Sequence, residues 1–275
     1  MLSKLISYEK QNDFIVTEKD TERSTENVLV KDIILQTQTA YLIRPKKEGL
    51  YPGIVFLHWL EPHAENSNRS EFLPLAIELA EKYEICAILP NAFWSTTPEK
   101  YKQNPNLGWN TTFENDGKLI VKQLHSLLTM IDFFESQYFV NDKQLLFCGH
   151  DFGAMFGCLL GEFKENIKGY VLMALTGKFS DWFRFGNTLT SVDEFLDYWA
   201  KMSDFDPETN IGNINSEIFF QFALNDFYVP VENALALIAE VEKNSITKWY
   251  KANHAMNEKV FNDAKDWLLE KISSL

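Results

Sequence analysis

Three short segments carry side chains that could work together on a small molecule. The first is Gly149-His150-Asp151-Phe152-Gly153-Ala154, which follows the apolar run Gln144–Cys148 and opens a helical pattern. Glycines two residues before and two after Asp151 permit a tight strand-to-helix turn. Such a turn lifts the central side chain above a sheet, at the positive end of the following helix. A carboxylate there is stabilised and aimed at an electrophilic carbon. The plainer alternative is an aspartate that only caps the helix; the paired glycines and the preceding strand favour the turn. The second segment, Asn225-Asp226-Phe227-Tyr228-Val229-Pro230, closes the run Ile218–Leu224. The third, Lys251-Ala252-Asn253-His254-Ala255-Met256-Asn257, closes the run Ile246–Tyr250. Alone, Asp226 reads as a turn residue and His254 as a surface group. Each stands at a strand end after that turn.

Positioning three such ends requires a sheet. Gly53–Leu57, Ile85–Leu89, Gln144–Cys148, Tyr170–Leu175, Ile218–Leu224 and Ile246–Tyr250 are short apolar runs, alternating with amphipathic stretches at 71–82, 120–134, 153–163, 235–241 and 260–272. This is the pattern of a mostly parallel α/β sheet covered by helices on both faces. Residues 1–50 alternate in short runs, such as Val28–Leu35 and Thr39–Ile43, and predict an antiparallel start. An aromatic-rich stretch at 177–216, holding Trp182, Phe183, Phe185, Phe195, Tyr198 and Trp199, interrupts the alternation and reads as a lid beside the site. The expectation is one domain over 1–275.

The chain has 26 basic and 39 acidic side chains, a formal net charge of -13, which argues against nucleic acid or an anionic membrane as partner. Cys86, Cys148 and Cys158 lie in apolar runs without a CxxC pair, as expected in a reducing cytosol. No signal peptide and no apolar run of about 18 residues is read, so a cytoplasmic location is expected. No HExxH, GxGxxG or GxxxxGKS is present, so neither a metal nor a nucleotide cofactor is expected.

On these motifs the sequence resembles the α/β-hydrolase superfamily over nearly its whole length. The layout is similar to the dienelactone-hydrolase branch. The Gly-His-Asp-aromatic-Gly elbow instead resembles epoxide hydrolases and haloalkane dehalogenases, in which aspartate is the nucleophile; a dienelactone hydrolase would place Cys or Ser at 151. By this resemblance Asp226 and His254 would be the acid and the histidine of a catalytic triad, following the nucleophile in that order. Asp226 would accept from one imidazole nitrogen and fix the tautomer, leaving the other to activate water. A carboxylate needs no base to become a nucleophile, so His254 would belong to a second half-reaction. The resemblance implies an eight-stranded sheet and an oxyanion hole built from two backbone donors. One is Phe152 N–H. The other comes from His58-Trp59-Leu60-Glu61-Pro62, where Leu60 matches by position and Trp59 is the fallback, Trp59 standing where the family has glycine. It also implies a structural His58 and a packing role for His150. The pocket would be lined by His58, Trp94, Trp182, Tyr198 and Trp199.

An aspartate nucleophile attacking an sp³ carbon forms an alkyl ester that water can hydrolyse, whereas attack on an acyl carbon gives a high-energy anhydride. Epoxide opening would need lid tyrosines, for which Tyr198 is a candidate. Dehalogenation would need a halide ligand, with Trp59, Trp94, Trp109, Trp182 or Trp199 standing in for the tryptophan replaced by Phe152. Three readings therefore stand: an alkyl-enzyme hydrolase, an esterase or lactonase using direct water attack, and a binding protein on a hydrolase scaffold. The substrate expected is a small apolar or amphipathic molecule. Oligomeric state is not readable. Arg69 and Arg184 read as solvated charges rather than carboxylate anchors.

Overall fold

The computed structural model describes residues 2–61, 63–95, 113–183 and 191–275. Nine strands form one sheet in the order β1-β2-β3-β5-β4-β6-β7-β8-β9. They are β1 Val16–Asp20, β2 Val28–Leu35, β3 Gln38–Pro45, β4 Tyr51–Leu57, β5 Cys86–Pro90, β6 Val140–His150, β7 Ile167–Met173, β8 Glu217–Ala223 and β9 Ser245–Tyr250. Strands β1 to β3 run antiparallel, β3 meets β5 antiparallel, and the remaining pairs from β5 across to β9 are parallel. Among the described residues the sheet thus has nine strands, not the expected eight. The extra strand, β1, is an edge whose residues Thr17 to Asp20 are all exposed, so it carries no apolar alternation to betray it.

The period of two along each strand divides the core. Val55 and Leu57 of β4, with Leu145 and Phe147 of β6, face one cluster; Ile54, Phe56, Leu146 and Cys148 face the other. Helix α1, Leu73–Tyr83, covers the second face through Leu73, Ala76, Leu79 and Ala80. Helix α2, Phe113–Glu135, covers the first through Ile120, Leu124, Leu127, Leu128 and Ile131, the stripe that its spacing predicts. Helix α3 is Phe152–Cys158, shorter than the expected 153–163 because the Leu159 N–H turns back onto Phe156 and Gly157 carbonyls. Among the described residues between β7 and β8 are the α-helices α4 Ser180–Phe183, α5 Val192–Met202 and α6 Pro207–Asn210. Helix α5 starts with a capping box from Ser191 and Glu194. Helix α7, Val231–Ala239, and the closing α8, Glu258–Ser273, finish the chain.

Arg69 pairs with Asp32 and lies 3.9 Å from the Tyr41 ring, so it is a packing group rather than a solvated charge. Arg184 and Trp109 lie outside the described residues. The cysteines are buried and free. No helix among the described residues is long and apolar enough to cross a membrane.

Candidate active site

The turn after β6 is strained where the sequence analysis places the nucleophile. Asp151 has φ 51° and ψ -117°, a region that L-residues rarely adopt. The surroundings enforce it. Asp151 N–H donates to the Met173 carbonyl at 2.8 Å, and its own carbonyl accepts from Met155 N–H at 2.9 Å. A Cβ on Gly153 would meet the Leu57 carbonyl oxygen at 2.0 Å, and one on Gly149 would meet the Gly153 backbone at 2.6 Å. Both glycines are therefore required by close approach of backbone.

The turn delivers a fully buried carboxylate. Its Oδ2 accepts from Leu60 N–H at 3.0 Å. Its Oδ1 has no hydrogen-bond partner and faces His254 Nε2 at 3.7 Å, and that nitrogen is likewise unpartnered. On the far side of the ring, His254 Nδ1–H donates to Asp226 Oδ2 at 2.9 Å and Oδ1 at 3.1 Å. Asp226 is held by the Tyr228 and Val229 N–H groups at 2.8 and 3.1 Å. Asn225 N–H to the Ala252 carbonyl ties the two loops together. All three sequence-nominated side chains thus meet in one place.

No protein-family model matches the chain, and no curated protein matches it by sequence. Solved structures do match. The acetyl xylan esterase from Paenibacillus sp. R4 aligns with a TM-score of 0.73 at 13% identity, over 94% of this chain and 89% of that one. Acetyl xylan esterase 1 from Thermoanaerobacterium sp. JW/SL YS485 gives 0.69 at 13% identity over the same shares. A protein provisionally named dienelactone hydrolase from Klebsiella pneumoniae subsp. pneumoniae MGH 78578 gives 0.57 at 14%, over 96% of this chain and all of that one, 100%. This chain has the α/β-hydrolase fold.

Within the α/β-hydrolase fold the loop after β4 lies beside the elbow, as position matching expects for Leu60. The fallback donor is corrected: Trp59 N–H is taken by Glu71 Oε2 at 2.7 Å, because a buried carboxylate sits under that peptide. Both ring nitrogens of His58 are engaged within the protein. Its Nε2 accepts from Ala92 N–H at 3.1 Å, so the proton sits on Nδ1, which donates to the Trp59 carbonyl at 2.8 Å. Trp94 gives its indole N–H to the same carbonyl at 2.9 Å.

An aromatic shell surrounds these three side chains. The Trp59 ring lies flat on His150 at 5.2 Å with 8° between planes, and 6.3 Å from His254. Trp182 and Tyr228 lie 5.9 and 5.0 Å from His254. Phe152 packs against Trp94, Phe179, Trp182 and Phe183. The indole N–H groups of Trp59 and Trp182 are buried and without a partner. Two nominated residues are placed elsewhere. Tyr198 is buried and its hydroxyl donates to Asp116 at 2.8 Å. Trp199 carries Lys178 over its ring and lines a separate cavity of about 320 Å³ with Asp181 and Glu208.

Sequence reasoning missed Glu71 and Tyr228. Glu71 sits in the polar stretch before α1 and looks like surface. Tyr228, two residues past Asp226, shares the acid's loop, and that proximity was the available signal. Burial, then the charges of Glu61, Asp151 and Asp226, hold its hydroxyl above the ordinary tyrosine range.

Burial opposes protonation of His254, but hydrogen bonding and charge from Asp151 and Asp226 outweigh it and push its pKa up from 6.5 to about 10. The raised value stabilises the folded state fully below about 6.5, and that contribution is lost as pH rises through about 10. Wild type should therefore lose its stability advantage over His254→Gln between these limits, by a few kcal/mol as an order of magnitude. Urea unfolding of both proteins at a series of pH values checks this; a difference that stays flat would contradict it.

Proposed function

We propose that the protein is a hydrolase that displaces a leaving group from an sp³ carbon through a covalent ester on Asp151. The observation that carries this reading is the Leu60 N–H on Asp151 Oδ2. The donor position that an acyl substrate's oxygen would use is filled by the nucleophile's own carboxylate. That donor stabilises charge where it develops if the bond to be hydrolysed is on Asp151 Cγ. We assign Phe152 N–H as the second donor.

The steps follow from the atoms present. Asp151 Oδ1 attacks carbon, and the leaving group departs with the bonding pair. Esterification removes the negative charge nearest His254 Nε2, so the histidine's affinity for its proton falls and the ring becomes a base only once the ester exists. His254 then takes a proton from water as its oxygen attacks Asp151 Cγ. Collapse expels the alkoxide, which takes that proton from His254, and the new Asp151 carboxyl passes its remaining proton to the imidazole, restoring carboxylate and imidazolium; the proton that His254 shed to solvent on esterification is the H⁺ of the sum. The sum is R–X plus water to R–OH, X⁻ and H⁺.

For the leaving group, a halide fits the donors better than an epoxide oxygen. Tyr198 spends its hydroxyl on Asp116. Trp94 gives its indole N–H to the Trp59 carbonyl and Trp199 lines a separate cavity, whereas Trp59 and Trp182 hold unpartnered indole N–H groups beside His254. We take residues 177–216 as a lid over a small apolar substrate, within one domain. A cytoplasmic location fits the three free buried thiols.

A second reading, direct hydrolysis of an ester or lactone, draws on the names of the structural neighbours. The experiment is multiple turnover of bromoalkane, epoxide and acetate-ester panels in ¹⁸O-water, followed by mass analysis of the peptide spanning 149–154. Label in Asp151 is expected. Turnover without label removes the covalent route in favour of the second reading, and no turnover on any panel favours a binding protein. With a reactive bromoalkane, Trp59→Phe and Trp182→Phe should each slow carbon–bromine cleavage by about 10²-fold; unchanged rates would assign the anion to other donors.

A further inference from the structure

Two buried titratable side chains lie behind the triad and take no part in the steps above. Glu71 is 3% exposed at its side chain and His150 0%. Glu71 Oε2 accepts from Trp59 N–H at 2.7 Å, and Oε1 meets His150 Nδ1 at 2.6 Å. His150 Nε2 meets the backbone carbonyl of His254 at 2.9 Å. A carbonyl only accepts, so Nε2 carries a hydrogen. The chain of bonds therefore runs from the oxyanion loop, through the segment before α1 and the elbow, to the base itself.

We propose that Glu71 and His150 form a positioning relay that sets the nucleophile's hydrogen-bond donor and the catalytic imidazole in one register. It rests on the proposed role of Asp151 and His254. Trp59 N–H belongs to the peptide between His58 and Trp59, next to the one that carries the Leu60 N–H, so pinning it aims the Leu60 N–H at Asp151 Oδ2. The His254 carbonyl belongs to the residue whose ring faces Oδ1, so pinning it sets the 3.7 Å approach. The relay compensates for the glycine that Trp59 displaces, since the indole lies parallel on His150 and closes the link from water. Glu71 touches neither reacting atom; it acts through the groups it holds.

The test uses Glu71→Leu, which leaves Trp59 N–H and His150 Nδ1 unpaired. Glu71→Gln, whose amide can accept from Trp59 N–H and donate to Nδ1, is the conservative rescue. Amide hydrogen exchange is the first readout. In Glu71→Leu, residues 57–60 and residues 251–257 should both exchange faster, and Glu71→Gln should restore both. Wild-type protection over 251–257 in a folded Glu71→Leu overturns the relay, whatever substrate the enzyme uses. The second readout is single-turnover alkylation of Asp151 by a bromoalkane. It should fall about 100-fold in Glu71→Leu with KM changed less than about threefold, and equal rates would also overturn the relay. Absence of alkylation in wild type would instead fall on the proposed function and leave the exchange result standing. Should Glu71→Leu fail to fold, Glu71→Asp, one methylene too short to span both partners, takes its place with the same expected outcomes.

Discussion

His254→Gln should stop turnover after one event and leave the enzyme carrying its substrate's alkyl group. The glutamine amide retains a donor toward Asp226, which holds the imidazole at 2.9 Å, but it offers no base for water. Attack by Asp151 needs no proton removed, so the first half-reaction survives and the second fails. Steady-state turnover should fall by about 10³-fold or more, the scale of a lost general base. One equivalent of leaving group should appear in a burst, and the 149–154 peptide should gain the mass of the alkyl group. Asp151→Ala should lose both burst and turnover. A His254→Gln protein that turns over without accumulating adduct would show that water reaches the substrate directly.

The largest effect on stability is expected at Gly153. A methyl there would stand 2.0 Å from the Leu57 carbonyl oxygen and 2.8 Å from that of His58, both backbone atoms of β4 and its loop. Neither can rotate aside as a side chain would. Helix α3 would have to retreat from the sheet, and buried Phe152, Met155 and Phe156 would move with it. Gly153→Ala should cost at least about 3 kcal/mol or abolish soluble expression. Thermal unfolding with wild type alongside measures it. A near-wild-type midpoint would mean that the elbow yields more readily than its packing implies.

What the sequence disclosed follows from how locally each feature is encoded. The elbow was legible because glycine, aspartate and glycine stand within five residues, and Asp226 and His254 because each ends an apolar strand. Leu60 could be nominated by position alone, although a tryptophan had replaced the glycine beside it. The link from Glu71 to His150 was invisible, since its partners are separated by 79 positions and nothing before α1 marks a buried carboxylate. Strand β1 went unread because exposure erases the alternation on which such reading depends. Tyr198 and Trp199 lie on α5 with Phe195, whereas Trp182 lies on α4, and composition cannot tell which of these aromatic residues meets His254.

Strand β1 has a further consequence. An edge strand presents a row of unpaired peptide groups, which invites a strand from another molecule to extend the sheet. Here the terminal strand is five residues long and ends in Glu18, Lys19 and Asp20, all exposed, with Lys31 of β2 paired to Glu18 across the register. An incoming chain would have to strip water from alternating charges before forming its first ladder bond. On this side of the sheet, charge on a short edge strand opposes the addition of a further strand.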